Sequence, residues 1–305
     1  MTMIGIKNMT RYNAFKAKCQ GYSHKSTGMS CQDAVEAIFG NFESGGSFAI
    51  CAAADGHGSP KYFRCDTGAE IAVKIAVDSV KRFIAYQRQS QSYTDSIYSC
   101  EALSEDNFTK LLKDVSAHIV AKWIDEIKKH WISVPCTEEE KLIFEAQYPN
   151  QSVDDIDVNV AKIYGTTLIF GALTDEYTFA VQCGDGAVCI ISEEGEAFIP
   201  EETVDDNQIG SMANSLSSSN CLNLFKYYFS ENKPKAMIFV SDGVIESYGG
   251  NEGKDFLNFC VKVVEQYEKD YEQAQGFLED WLPKLSEKGS EDDMSVVGVY
   301  GNYEL

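Results

Sequence analysis

The sequence predicts an α+β fold built as one domain spanning 1–305. Three observations carry this. Extended segments at both ends of the chain enclose two pairs of helical segments, short strands joined by tight turns fill the middle, and no internal repeat or low-complexity linker interrupts the chain. Strands from both halves must then complete the sheets.

The first extended segment is 10–20, where alternation gives a half-exposed strand with Tyr12, Ala14 and either Phe15 or Ala17 inward, depending on register. Gly21 to Cys31, polar and glycine-punctuated, reads as a loop carrying His24 and Lys25. Val35 to Phe39 resume an extended pattern, so this loop and its flanking strands read as a hairpin. Phe48 to Ala54 are apolar and small enough for a strand buried on both faces. Thr67 with Glu70 forms a capping-box signature. Ile71, Ala72, Ile75, Ala76, Val80 and Phe83 follow it at helical spacing, predicting a helix to about Arg88.

A polar connector over 89–104 leads to a second helix with Phe108, Leu111, Leu112, Val115, Ile119, Trp123, Ile127 and Trp131 on one face, an antiparallel partner for the first. The segment 132–160, with Glu138, Glu139, Glu140, Asp154, Asp155 and Asp157, reads as a solvated acidic insertion. Three short strands within 165–191, turning at Thr174-Asp175-Glu176 and Gly184-Asp185-Gly186, read as an antiparallel meander. Residues 201–221 read as a polar loop or flap, Lys235 to Val240 as a strand, Phe256 to Tyr267 and Ala274 to Leu285 as helices, and Ser295 to Tyr300 as the last strand.

Composition narrows the function. Forty-seven acidic residues against 26 basic give a net charge of −21, which argues against affinity for nucleic acid or anionic membranes. Ten cysteines without a CxxC pair write neither a zinc ribbon nor a redox motif; Cys51, Cys183, Cys189 and Cys260, in apolar contexts, are expected as buried thiols in a reducing compartment. No run approaches the roughly 20 apolar residues of a membrane span. Nor do Lys7, Arg11, Lys16 and Lys18 frame a signal peptide, so the expectation is cytoplasmic.

Several apolar runs stop at an acid. Phe48 to Ala54 end at Asp55-Gly56-His57-Gly58, Ile238 to Ser241 end at Asp242-Gly243, and 181–186 form a looser third case at Asp185. On its own an Asp-Gly pair is a turn, and a histidine beside it a surface residue. The recurrence suggests more: Asp33, Asp55, Asp242 and Asp292 each stand at or beside the end of an extended run, and stacked strands would bring them to one edge. Carboxylates gathered in a partly dry cleft repel one another unless a cation neutralises them. Oxygen donors without histidine or cysteine at zinc spacing point to Mg²⁺ or Mn²⁺. Two such ions suit in-line attack on a phosphate ester, with His57 placed to protonate the leaving oxygen and Gly56 free to bring its carbonyl to an ion.

Together, Cys31-Gln32-Asp33-Ala34, Asp55-Gly56-His57-Gly58, Gly165-Thr166-Thr167, Cys183-Gly184-Asp185, Val240-Ser241-Asp242-Gly243 and Asp292-Asp293-Met294-Ser295-Val296-Val297 resemble the ordered motifs of the metal-dependent protein serine/threonine phosphatases, the PPM or type-2C family, with the loop before Ala34 closer to bacterial-type members. The resemblance spans residues 20 to 300. It implies a four-layer α-β-β-α sandwich, two antiparallel sheets flanked by antiparallel helix pairs. It implies hydrolysis of phosphoserine and phosphothreonine in phosphorylated protein substrates by a monomer using two Mn²⁺ or Mg²⁺ ions, with a third, weaker ion as an addition. Asp55 would bridge the ions, the Gly56 carbonyl would bind one, Asp242 and Asp292 the other, Asp33 would contact the metals or their water, Glu246 would serve the third ion and His57 would be the acid. Gly165 to Thr167 and Cys183 to Asp185 would be structural.

Three positions depart from the pattern. Gly28 stands where many relatives place a phosphate-binding arginine, Gln32 where they have Glu, and Asp293 where they have Asn. The group that would grip the phosphate is left open among His24, Lys25 and Arg64. The missing arginine, with the acidic surface and the 132–160 segment as a docking element, motivates an alternative, a pseudophosphatase acting as a binding scaffold; hydrolysis of a small phosphorylated metabolite would use the same site.

Overall fold

The computed structural model describes residues 10–43, 45–94, 105–150, 152–153, 160–201, 214–249 and 253–301. In chain order, β1 (Tyr12–Cys19) and the short helix α1 (Tyr22–Thr27) lead to β2 (Asp33–Asn41) and β3 (Ser47–Asp55). Helices α2 (Cys65–Thr94), α3 (Glu105–Ser133), α4 (Glu138–Gln147) and α5 (Val160–Ile163) follow. Then come β4 (Leu168–Thr174), β5 (Thr178–Cys183), β6 (Ala187–Ile191), β7 (Ala197–Phe198), β8 (Lys226–Ser230) and β9 (Ala236–Val240). Helices α6 (Asp242–Ser247), α7 (Lys254–Lys269) and α8 (Tyr271–Lys288) precede the last strand, β10 (Met294–Gly301).

The strands form two five-stranded antiparallel sheets, ordered β1-β10-β9-β6-β7 and β2-β3-β4-β5-β8. They stack face to face, with α2 and α3 on one outer side and α7 and α8 on the other, the four layers expected. Strand β3 shows how the sequence dictates this. Its alternate residues Phe48, Ile50, Ala52 and Ala54 pack under α2 and α3, while Ala49, Cys51 and Ala53 fill the space between the sheets. A strand apolar on both faces can only be an inner layer.

The same logic resolves the register of β1. Tyr12 and Ala14 face the other sheet, and both Phe15 and Ala17 pack against the α7–α8 layer, Phe15 stacking on Tyr267 at 4.2 Å. Helices α2 and α3 run antiparallel: Trp123 donates its indole N–H to the Gly68 carbonyl at 3.0 Å near one end, and Phe83 meets Phe108 near the other. Among the described residues no helix is long and apolar enough to cross a membrane.

Several local expectations differ. Gly21 to Cys31 are not all loop, because Tyr22–Thr27 wind into α1, closed by Gly28 in the left-handed region at φ 75°. No hairpin joins the strands on either side of it: β1 pairs with β10 and β2 with β3, in different sheets. Helix α2 begins at Cys65, so Thr67 lies within the first turn and the capping box is not used; it also runs on to Thr94, into the expected connector, whose remainder lies outside the described residues. The meander stops at β5, since β6 crosses to the other sheet and pairs with β9, leaving β5 to pair with β8, a strand whose polar, aromatic sequence hid it. Of the expected flap, only 201 and 214–221 are described.

The acidic segment 132–160 is not simply solvated. Thr137 and Glu140 form a capping box at the start of α4, and Phe144 is buried. Glu140 accepts from Arg64 Nε at 2.6 Å and Nη2 at 2.9 Å, a two-pronged pair. Arg64 also donates to the Val134 carbonyl and the Tyr164 hydroxyl, with its guanidinium 4.9 Å from the Trp131 ring. Asp154, Asp155 and Asp157 lie outside the described residues.

Burial alone would raise the Glu140 carboxyl, but the Arg64 bonds outweigh it and hold it below the ordinary carboxylate range. A carboxyl so lowered adds stability that is complete above its unfolded pKa and is lost as pH falls through the folded value. Glu140→Gln should therefore cost on the order of 1.5–3 kcal/mol at pH 7, the worth of a hydrogen bond between charged groups. Thermal unfolding at pH 7 and at pH 3 checks this; the gap between wild type and variant should shrink at the lower pH, and an unchanged gap contradicts the pairing.

Candidate metal and phosphate site

Strand register builds the site. Asp33 opens β2 directly opposite Asp55, which closes β3. In the second sheet Val240, at the end of β9, pairs with Val296, near the start of β10. Asp242 follows the first strand by two residues and Asp292 precedes the second by two, so all four acids reach one end of the sheet stack. Asp55, Asp242 and Asp292 line a single cleft of about 1060 Å³, together with Gly56, His57 and Asp185. Asp33 is not among its lining residues. It is 1% exposed, and neither of its carboxylate oxygens has a hydrogen-bond partner among the described residues.

The backbone around Asp55 is closely held. Its N–H donates to Thr167 Oγ1 at 2.9 Å, and its carbonyl accepts from the Thr167 N–H and the Thr166 hydroxyl, each at 2.8 Å. Thr166 and Thr167 therefore fix the end of the strand that presents the acid. The Gly56 N–H donates to the Gln32 carbonyl at 3.1 Å, tying the two acidic turns together. A Cβ at Gly56 would stand 2.9 Å from Cys65 at the head of α2, so close packing also requires glycine there.

His57 donates its backbone N–H to the Gly165 carbonyl at 3.2 Å, and its ring lies 4.7 Å from that of Tyr62. Gly165 is the floor under both rings, since a Cβ there would come within 2.7 Å of Tyr62 and 2.9 Å of His57. The expectation that Gly165 serves only sheet packing is thus incomplete.

Electrostatics follow from crowding. Burial first, then the charges of Asp33, Asp242 and Asp292, push the Asp55 carboxyl well above the usual range. Burial pushes Asp33 up to about 7 against the pull of the nearby Ser241 hydroxyl. Asp292 is also raised, by burial and by Asp242, with the Asp293 backbone N–H opposing. Asp185, read from the sequence as structural, faces the same charges and is raised to about 6 by burial and Asp242. Its turn is pinned by the Gln182 amide, which donates to the carbonyls of Gly184 and Gly186. The signal was present in the sequence, because Asp185 ends an apolar run as Asp55 and Asp242 do. Glu246, one turn beyond Asp242 on α6, is exposed and outside the cleft lining, although its carboxyl is raised by partial desolvation, Asp242 and Asp292. For His57, burial and then the Lys61 charge lower the imidazole to about 4, with Asp242 opposing.

The tightest ligand-capable group among the described residues is His24, Asp292 and Asp293, whose atoms lie within 4.8 Å of one another; the four sequence-predicted acids do not close to that spacing as a set. His24 stands 3.0 Å from Asp293 and 3.7 Å from Asp292. Asp293 is a buried fastener whose carboxylate accepts from the backbone N–H groups of Gly21 and Gln32, each at 2.6 Å. The extra charge at this position therefore clamps the loop before β2 to the turn before β10.

Of the groups left open for phosphate, Arg64 is buried and committed to Glu140, Lys25 is not among the cleft-lining residues, and His24 lines the cleft beside Asp292. Gly28 cannot readily host the missing arginine, because its φ of 75° disfavours a side chain. Buried carboxylate oxygens, several acids raised by burial and by one another's charge, and a predominance of oxygen donors fit hard divalent cations.

The protein phosphatase 2C family model matches residues 20–283. No match to a curated protein sequence is found. Among solved structures, a bacterial serine phosphatase bearing an R161A mutation is 11% identical with a TM-score of 0.50, over 96% of this chain and 99% of that one. The S. agalactiae serine/threonine phosphatase is 14% identical with a TM-score of 0.49, over 95% and 99%. The catalytic domain of the serine/threonine phosphatase PstP, solved with two manganese ions, is 14% identical with a TM-score of 0.47, over 95% and 97%. With its family model covering most of its length, this chain belongs to the protein phosphatase 2C family.

Proposed function

We propose that the chain, a protein serine/threonine phosphatase by family, hydrolyses phosphoserine and phosphothreonine in proteins with the help of two Mn²⁺ or Mg²⁺ ions. The observation that carries this is the convergence of Asp55, Asp242 and Asp292 on one cleft, with Asp33 buried and unpartnered behind them. Asp55, the Gly56 carbonyl, Asp242 and Asp292 are the groups to hold the ions. Asp185 and Glu246 share the charges of Asp242 and Asp292, which suits them to a third, weaker one. Bound there, such ions lower the pKa of a water and neutralise charge on the phosphoryl oxygens.

The protein's own residues supply the rest. Asp33, buried behind the other acids, would contact the ions or their bound water. His57, in its protonated imidazolium form, would give its proton to the leaving seryl or threonyl oxygen as the P–O bond breaks and be left as the neutral ring. The cleft is lined also by the apolar Val120, Ile124, Leu216 and Leu222 and by the hydroxyls of Ser217 to Ser219. At about 1060 Å³ it exceeds the usual range for a small ligand, roughly 300–1,000 Å³, and has room for residues flanking a phosphorylated side chain. That room suits a protein substrate, and the acids gathered at the cleft support an enzyme over a non-catalytic scaffold. The chain acts as a one-domain monomer in the cytoplasm, where its nine described cysteines, all free thiols, suit a reducing medium.

Turnover of p-nitrophenyl phosphate and of a phosphothreonine peptide in Mn²⁺ tests the reading. Asp55→Asn and Asp242→Asn should each lower kcat by about 10²-fold or more, since each removes ligand charge from the site. Wild-type protein that releases no phosphate from either substrate between pH 6 and 9 sinks the proposal.

His57 has its own signature. His57→Gln should lower kcat on the phosphopeptide by about 10²-fold while sparing p-nitrophenyl phosphate, whose phenolate leaves without a proton. Equal losses on both substrates would deny His57 the role of proton donor.

A further inference from the structure

Building on the phosphatase reading, we propose that the Lys61 ammonium is the cation that grips the substrate phosphate, carried along the cleft wall in one row with Tyr62 and His57. The need for such a cation is electrostatic. A phosphate dianion entering this cleft meets Asp55, Asp185, Asp242 and Asp292 in a chain of net charge −21. Fixed positive charge at the mouth offsets that repulsion and orients the anion.

Few groups can supply it. An arginine at position 28 is disfavoured by φ of 75°, Arg64 is locked onto Glu140, and His24 is flanked by Asp292 and Asp293. The lysines lining the cleft among the described residues are Lys61 and Lys162, of which Lys162 is exposed and Lys61 half-buried. No ion pair within 4.0 Å engages Lys61 among the described residues, so its charge is not already neutralised.

Lys61 is also held in place. It is the middle residue of a 3-10 turn, Pro60–Tyr62, started by proline and closed by the Tyr62 N–H donating to the Ser59 carbonyl at 2.9 Å. The Tyr148 hydroxyl donates to the Lys61 carbonyl at 3.3 Å. Its ammonium lies 4.7 Å from the centre of the Tyr62 ring, whose other neighbour, also at 4.7 Å, is the His57 ring. Tyr62 rests in turn on Gly165, so cation, aromatic ring and imidazole are spaced by packing. A lysine serves here as a point charge on phosphate, without the two-pronged geometry of arginine.

Phosphate affinity and kinetics of the full chain in Mn²⁺ test the assignment. Inorganic phosphate is titrated calorimetrically into wild type, Lys61→Met, Lys61→Arg and Lys162→Met, and KM and kcat for p-nitrophenyl phosphate are measured alongside. Lys61→Met should weaken phosphate binding and raise KM by about tenfold or more, the worth of one charged hydrogen bond, with kcat changed less than about threefold. Lys61→Arg should recover most of the affinity, and Lys162→Met should stay within about twofold of wild type. Lys61→Met within twofold of wild type, an equal loss in Lys162→Met, or a wild type that binds no phosphate overturns it. A wild type that binds phosphate yet never hydrolyses the ester defeats the catalytic reading instead, and the binding arm still judges Lys61.

Discussion

Repulsion among carboxylates at one end of a sheet stack is the constraint on which the rest of this structure depends. Asp33 and Asp55 are brought together by strand register, and a shift of either strand by one residue would turn its acid to the opposite face, away from the other. Asp242 and Asp292 arrive from the second sheet at the same end, flanking the paired ends of β9 and β10. Such an arrangement is costly to keep ionised in a partly dry cleft, which is why burial and mutual charge raise Asp33, Asp55 and Asp292 together. Folding alone does not relieve it. The cost makes sense as preparation for divalent cations, whose charge converts repulsion into binding.

Holding the acids against one another needs fasteners that are not themselves ligands. Thr166 and Thr167 grip the backbone of Asp55 from β4 and its approach, and the Gln32 carbonyl grips Gly56. Asp293 draws the backbone of Gly21 and Gln32 toward the turn that carries Asp292. Farther out, Arg64 ties the start of α2 to α4 through Glu140, and so steadies the 3-10 turn between His57 and the helix. Chemistry and stability are thus divided between neighbouring residues: Asp292 with Asp293, and Asp55 with the threonines that follow Gly165.

Much of this was legible in the sequence where one pattern dominates. The small apolar residues of β3, the helical stripe from Phe108 to Trp131 and the acids at strand ends each point to a single local solution, and the structure adopts it. Reading failed where tertiary pairing decides. β8 is polar enough to pass for loop, and its strand character comes from the edge of β5; β6 reads as a third meander strand until Gly184 to Gly186 carry it to the other sheet. In the site, Asp55, Asp242 and Asp292 could be named from the ends of apolar runs. Lys61 could not, because a lone lysine in a polar turn carries no sequence signal; only its neighbours in space, Tyr62, His57 and the carboxylates, give it meaning.

The central claim is that the four-acid edge exists to hold two hard cations. Calorimetric titration of the metal-free chain with Mn²⁺ at neutral pH tests it most directly. The account predicts two ions bound per wild-type chain, and the loss of at least one when Asp55, at the end of β3, is replaced by asparagine. A wild-type chain that binds no ion or one, or an Asp55→Asn variant that still binds two with unchanged affinity, would contradict it.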